Sequence, residues 1–207
     1  MKKGVLFLFL MIWCLYMTAQ KASFTYNQPS QCVPSTVTFT NTGTGTPISF
    51  LWDFGDNNST SSVYHPVHPF TAPGVYTVTL IMRYANSTDT SRQTITVLNV
   101  PSFSFTKLND SVCPGDAVSF SSSVSYPSNP AQIQSYAWDF GDGGQSLLPN
   151  PTWTYQNIAN LAVRYAVSLT VTDVNGCSNK ITQSDYVAVK RKPVVDFSSD
   201  KQVFCYS

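Results

Sequence analysis

An all-β chain carrying two β-sandwiches in tandem is predicted by three features of this sequence. Long stretches are rich in Ser, Thr, Val and Tyr and poor in Leu, Glu, Lys and Ala, a composition of strands rather than helices. Apolar and polar residues alternate with period two in Val37-Thr38-Phe39, Tyr76-Thr77-Val78-Thr79-Leu80 and Val167-Ser168-Leu169-Thr170-Val171. That alternation marks strands with one buried face. A five-residue motif, Trp52-Asp53-Phe54-Gly55-Asp56, returns as Trp138-Asp139-Phe140-Gly141-Asp142, so the chain repeats itself.

Taken in order, the first element lies outside both sandwiches. Lys2 and Lys3 precede an apolar run from Val5 to Met17 that closes with Thr18-Ala19. This pattern predicts a secretory signal peptide over 1–19, cut after Ala19 to leave Gln20 first. The run falls short of the about 20 apolar residues that a membrane-spanning helix needs. The mature chain is therefore expected to carry no membrane span, an uncleaved anchor being the alternative. Cys14 lacks the small residues expected before a lipid-modified cysteine. Export places Cys32, Cys113, Cys177 and Cys205 in oxidising surroundings, where disulfides form.

Repeat one is expected over 20–100 and repeat two over 101–192. Phe24, Cys32, Val37 and Phe39 return 81 residues later as Phe105, Cys113, Val118 and Phe120. Tyr76 to Leu80 returns 89 residues later as Tyr165 to Leu169, and Val97 and Pro101 return 92 residues later as Val189 and Pro193. The shift grows only between motifs, so the insertions belong to loops. Turn residues separate the strands: Gly43, Gly45 and Pro47; Asp56-Asn57-Asn58; Pro73-Gly74; Asn175-Gly176. A third copy is expected to start over 193–207, because Phe197 precedes Cys205 as Phe24 precedes Cys32. The last residue, Ser207, falls before the next strand of that copy, which reads as a fragment of a longer protein.

The motif has a physical reason in each repeat. Trp52 and Trp138 are expected in the core, on the strand where immunoglobulin domains carry their buried Trp. Phe54 and Phe140, two residues on, face the same side. Gly55 and Gly141 are expected in a backbone conformation closed to other residues. Asp53, Asp56, Asp139 and Asp142 suit the task of accepting N–H groups in that turn. Tyr76 and Tyr165 open a late strand and are placed for a tyrosine-corner hydrogen bond.

With these residues in place, the chain resembles the PKD (polycystic-kidney-disease) repeat family across both repeats. Pro66-Val67-His68-Pro69-Phe70 and Pro151-Thr152-Trp153-Thr154-Tyr155 follow the motif in the family order. Gly74-Val75-Tyr76-Thr77-Val78-Thr79-Leu80 follows in repeat one, whereas repeat two has Val163 in place of Gly74 after a longer loop. The resemblance implies tandem immunoglobulin-like β-sandwiches of a secreted or cell-surface bacterial protein, making contacts with extracellular protein or carbohydrate. It implies a surface adhesin or structural stalk, with the accessory region of a longer secreted protease or glycosidase as the alternative.

Chemistry is not expected from the residues. Asp139 and Asp142, beside Gly143 and Gly144, are the best candidates for Ca²⁺, but two carboxylates fall short of the six to eight oxygens the ion takes. A structural turn is favoured. His65 and His68 offer a His-x-x-His pair with no third ligand nearby, and His68 aligns with Trp153, so packing is favoured over zinc. Repeat two has no histidine, and neither Gly-x-Ser-x-Gly nor a phosphate-cradling loop occurs. No catalytic residue and no cofactor are expected. A net charge of +1 without a basic block gives nucleic acid no electrostatic footprint. Asn58-Ser59-Thr60 and Asn86-Ser87-Thr88 match the glycosylation sequon in predicted loops.

The cysteines leave two pairings open. Cys32, Cys113 and Cys205 share one repeat position after the first strand, and Cys177 sits in the final hairpin, where repeat one has Thr88. Those two positions lie at opposite ends of one such sandwich, while a bond needs Cα atoms within about 7 Å. Cys32–Cys177 across a head-to-tail junction is therefore favoured, with Cys113–Cys177 inside repeat two as the alternative.

Overall fold

The computed structural model describes residues 19–57, 59–126, 132–158 and 161–191. The expected signal peptide, apart from Ala19, and the expected third repeat lie outside the described residues. The chain divides into two compact units, one ending at Val97 and the other starting at Leu98.

In the first unit, β1 (Phe24–Asn27), β2 (Ser35–Asn41) and β5 (Val67–Phe70) form a three-stranded sheet in the order β1-β2-β5. The facing sheet has the order β4-β3-β6-β7, built from β3 (Ser49–Asp53), β4 (Thr60–Ser61), β6 (Gly74–Arg83) and β7 (Thr88–Val97). The strand pairs are antiparallel. In β2, Ser35, Val37, Phe39 and Asn41 turn inward and the residues between them outward, as the period of two requires. β6 and β7 pair from Gly74↔Val97 to Arg83↔Thr88 without a register shift.

The second unit repeats this plan with one addition. Its strands are β8 (Ser102–Lys107), β9 (Ser111–Val112), β10 (Ala117–Tyr126), β11 (Ile133–Asp139), β12 (Gln145–Ser146), β13 (Thr152–Thr154), β14 (Val163–Asp173) and β15 (Ser178–Val189). They form sheets of order β13-β10-β8 and β12-β11-β14-β15-β9. β9 pairs parallel to β15 through Ala188↔Ser111 and Val189↔Val112. A bulge separates Tyr165 from Val167 in the β14–β15 ladder, and Asp185 opposite it takes φ 52°. Each unit is a two-sheet immunoglobulin-like sandwich, as the composition and periodicity predict.

One Trp-centred core fills each sandwich. Trp52 is fully buried, its ring centroid 5.1 Å from that of Phe24 and 5.5 Å from that of Phe39. Trp138 repeats the arrangement against Phe105 at 5.1 Å and Phe120 at 5.5 Å. The edge-on and tilted geometries are those aromatic quadrupoles prefer. Among the described residues no helix is long and apolar enough to cross a membrane, which says nothing of strands.

Candidate functional site

The motif turn is where both repeats concentrate their distinctive residues. In the first unit it links β3 to β4, and in the second β11 to β12. Phe54 N–H donates to the Ser59 carbonyl at 3.1 Å, and Phe140 N–H to the Gly144 carbonyl at 3.0 Å. Asp53 pairs with Thr60 and Asp139 with Gln145, so Ser59 and Gly144 are equivalent and the first turn is one residue longer.

Gly55 and Gly141 take φ of 75° and 82°, the left-handed region that glycine enters without penalty. A Cβ on Gly55 would stand 2.7 Å from the Thr77 carbonyl oxygen, and one on Gly141 2.3 Å from that of Ala166. The turn therefore presses on the neighbouring strand at a position where a side chain is forbidden. Asp53 Oδ1 accepts from Gly55 N–H at 2.9 Å and Asp139 Oδ1 from Gly141 N–H at 3.0 Å. These are Asx turns.

The last aspartate of the motif does something further. Asp142 Oδ1 accepts from Gly144 N–H at 3.0 Å, while its Oδ2 accepts from the Trp153 indole Nε1 at 2.9 Å. Asp56 also engages side chains: Oδ1 accepts the Ser59 hydroxyl, and Oδ2 lies 2.7 Å from His68 Nε2. The longer first turn brings the Ser59 side chain to the oxygen that Gly144 N–H occupies in the second. In both units the ring that meets the carboxylate also stacks on the motif Phe. His68 lies 4.0 Å from Phe54 with planes 3° apart, and Trp153 lies 4.7 Å from Phe140 with planes 12° apart. A ring N–H, a carboxylate and a Phe face thus form one clamp, built with His in one repeat and Trp in the other. Gly144 is glycine because a Cβ there would stand 1.9 Å from the Trp153 ring, a space the smaller His68 leaves to Ser59.

Burial alone would raise the Asp56 carboxyl, but the hydrogen bonds from Ser59 and His68 and the nearby His68 charge outweigh it and hold the group below its ordinary value. His65 is engaged elsewhere, its Nδ1 accepting from Asn41 N–H at 3.1 Å. The two histidines serve two separate contacts. Both Asp142 oxygens and one Asp139 oxygen are occupied, by N–H groups of the turn and by the Trp153 indole. Among the described residues no group of three His, Cys, Asp or Glu converges on a metal position.

The tyrosines diverge. Tyr76 O–H donates to the Ala72 carbonyl at 2.8 Å, four residues back, whereas Tyr165 O–H reaches the Gln156 carbonyl at 3.4 Å across the longer loop. Trp138 Nε1 donates to the Leu148 carbonyl at 2.9 Å, but Trp52 Nε1 is buried and meets no acceptor among the described residues. Cys32 and Cys177 are each disulfide-bonded. Cys113 is a free, exposed thiol, which corrects the alternative Cys113–Cys177: Cys113 stands in a solvent-facing turn and Cys177 is fully buried. Asn86 lies exposed in the β6–β7 turn, and Asn58 lies outside the described residues. Outward aromatic side chains include Tyr26 and Tyr64 in the first unit and Tyr126 in the second, about 40% exposed each. Tyr64 meets the half-buried Phe50 edge-on at 5.3 Å.

The clamp was half legible in sequence. The alignment of His68 with Trp153 points to packing, and the shared ring N–H donor, 12 residues from Asp56 in one unit and 11 from Asp142 in the other, is the signal that identifies the clamp.

The PKD-domain family matches over residues 19–98 and again over 99–189. The pre-pro-metalloprotease PrtV of Vibrio cholerae serotype O1 is 44% identical over 52 residues, which are 25% of this chain and 5% of that protein. The chain thus spans about 5% of the length of this curated relative. The crystal structure of the PKD1 domain of that V. cholerae protease is 33% identical, covering 44% of this chain and 98% of the domain with a TM-score of 0.35. The PKD1 domain of Vibrio anguillarum Epp is also 33% identical, covering 45% of this chain and 96% of the domain, again at 0.35.

Proposed function

The chain belongs to the PKD-domain family, and from that premise we propose that it is a non-catalytic array of an exported protein, a surface adhesin or structural stalk whose modules contact extracellular protein or carbohydrate. One observation carries this. The side chains that distinguish the repeats are spent inside each sandwich: Trp52 and Trp138 in the cores, the aspartates on turn N–H groups and ring nitrogens. What such a module offers a partner is its outer surface, where Tyr26, Tyr64 and Tyr126 supply flat, amphipathic faces.

The pairing that belongs with this proposal is Cys32–Cys177. It rests on the bonded state of each of these cysteines, the free thiol at Cys113 and the repeat positions they occupy. A mass-spectrometric map of the unreduced chain is expected to join the Cys32 and Cys177 peptides; any other partner for Cys32 rejects the pairing.

A second function, the accessory region of a secreted hydrolase, is favoured by the match to a segment of a metalloprotease. Binding of the purified chain to arrayed glycans and matrix proteins separates the two. Saturable retention on one surface class is expected, weakened by Tyr64→Ala; uniform absence of retention rejects the adhesin and leaves a spacer or an accessory region.

A further inference from the structure

Three features meet at the pole of the second unit where the chain leaves it. The first is the exposed Cys113 thiol. It stands in a tight turn: Cys113 N–H donates to Asp116 Oδ2 at 3.0 Å, and Asp116 N–H returns to the Cys113 carbonyl at 3.1 Å. Gly115 in that turn has φ +90° and no atom within 4 Å of where a Cβ would stand, so the turn faces open space. The second feature is a pair of apolar side chains between β13 and β14, Ile158, 100% exposed, and Leu161, 76% exposed. Gly115 N–H donates to the Tyr155 carbonyl at 2.9 Å, which holds the end of β13 beside the turn. Asn157 Nδ2 reaches the carbonyls of Leu161, Val189 and Lys190 at 3.0, 3.2 and 3.0 Å, tying Asn157 and Leu161 to the end of β15. The third is the exit itself: Lys190 N–H donates to the carbonyl of Val112, the residue before Cys113, at 2.9 Å.

The repeat says what these features are for. Cys113 follows Phe105 at the spacing by which Cys32 follows Phe24, and Cys32 is disulfide-bonded. Cys177, in the final hairpin between β14 and β15, is also disulfide-bonded. Downstream of the exit, Phe197 and Cys205 begin the pattern once more. We infer that this pole docks a further module of the same kind, and that Cys113 forms a disulfide with a cysteine in that module's final hairpin, the position Cys177 holds in the second unit. Exposed Ile158 and Leu161 supply the apolar contact around the bond, since covering such surface is favourable at roughly 25 cal/mol per Å². As the S–S bond forms, the two thiols give up two protons and two electrons to a protein disulfide of the exported compartment, which is reduced to a dithiol.

This inference rests on the array proposed above, and the test keeps the two apart. The protein is recovered at its natural length from its host, alkylated with N-ethylmaleimide without reduction, digested and mapped by mass spectrometry. A Cys113 peptide joined to a final-hairpin cysteine of a following module is expected, releasing both peptides on reduction. Quantitative alkylation of Cys113, or a bond to any other cysteine, overturns the inference. If that happens while Cys32 remains joined to Cys177, the array stands and only the docking pole falls. Cys113→Ser is the second measurement: it exposes one newly alkylated cysteine in the following module if the bond exists, and none if it does not.

Discussion

Replacing Trp138 by alanine is expected to come close to unfolding the second unit alone. The side chain is 2% exposed and packs against Phe105 and Phe120 with ring centroids 5.1 and 5.5 Å away. Truncating a buried Trp costs about 3–5 kcal/mol in lost transfer energy and residual cavity. The Leu148 carbonyl also loses its indole donor, but Leu148 is exposed and water replaces the bond, so that loss adds little. A domain holds about 5–15 kcal/mol in total. At about 4–8 °C per kcal/mol for a domain of this size, the melting transition falls by roughly 12–40 °C. Trp52 anchors a separate core built from other residues, so scanning calorimetry of the whole chain is expected to show one displaced transition and one in place. A variant that melts at the parent temperature, or one that moves both transitions equally, refutes a Trp138-centred core.

The turn offers three further tests. Gly141→Ala forces a Cβ to 2.3 Å from the Ala166 oxygen at φ 82°, and chemical denaturation is expected to show a loss of about 1–3 kcal/mol. Gly143→Ala, at φ 93° but in open space, is expected to lose less, and equal losses contradict the close approach. Gly144→Ser, the residue that Ser59 supplies in the first unit, is expected to destabilise by about 1–3 kcal/mol through the Trp153 clash, and Trp153→His is expected to recover part of it. Because Asp56 is held below its ordinary value in the fold, its contribution is present above its unfolded pKa and is lost as pH falls through the lower folded value. The first unit's melting temperature should therefore drop below about pH 4, and His68→Ala should flatten that part of the profile; an unchanged slope rejects the Asp56–His68 contact.

The fold was legible because its determinants are local. Period-two alternation in β2, β6 and β14 and a motif returning in register announce sandwiches whatever the distant contacts. The core role of Trp52 and Trp138 and the left-handed Gly55 and Gly141 are legible in the motif itself, although the contacts that enforce them lie on neighbouring strands. What was hidden depends on residues that meet across the sandwich. The exchange of His68 for Trp153 looks like a change of chemistry in sequence and proves to conserve a ring N–H aimed at a carboxylate. Gly144 reads as one more turn glycine, although its reason is the indole of a residue on β13. The parallel strand β9 is two residues long and carries no pattern of its own.

Turnover is the most direct test of the proposal that this chain is a non-catalytic array. The purified chain is incubated with peptide, ester and glycoside substrates, alongside its His65→Ala and His68→Ala variants. No turnover above buffer is expected from any of the three. Reproducible turnover by the parent chain that disappears in either variant contradicts a non-catalytic array.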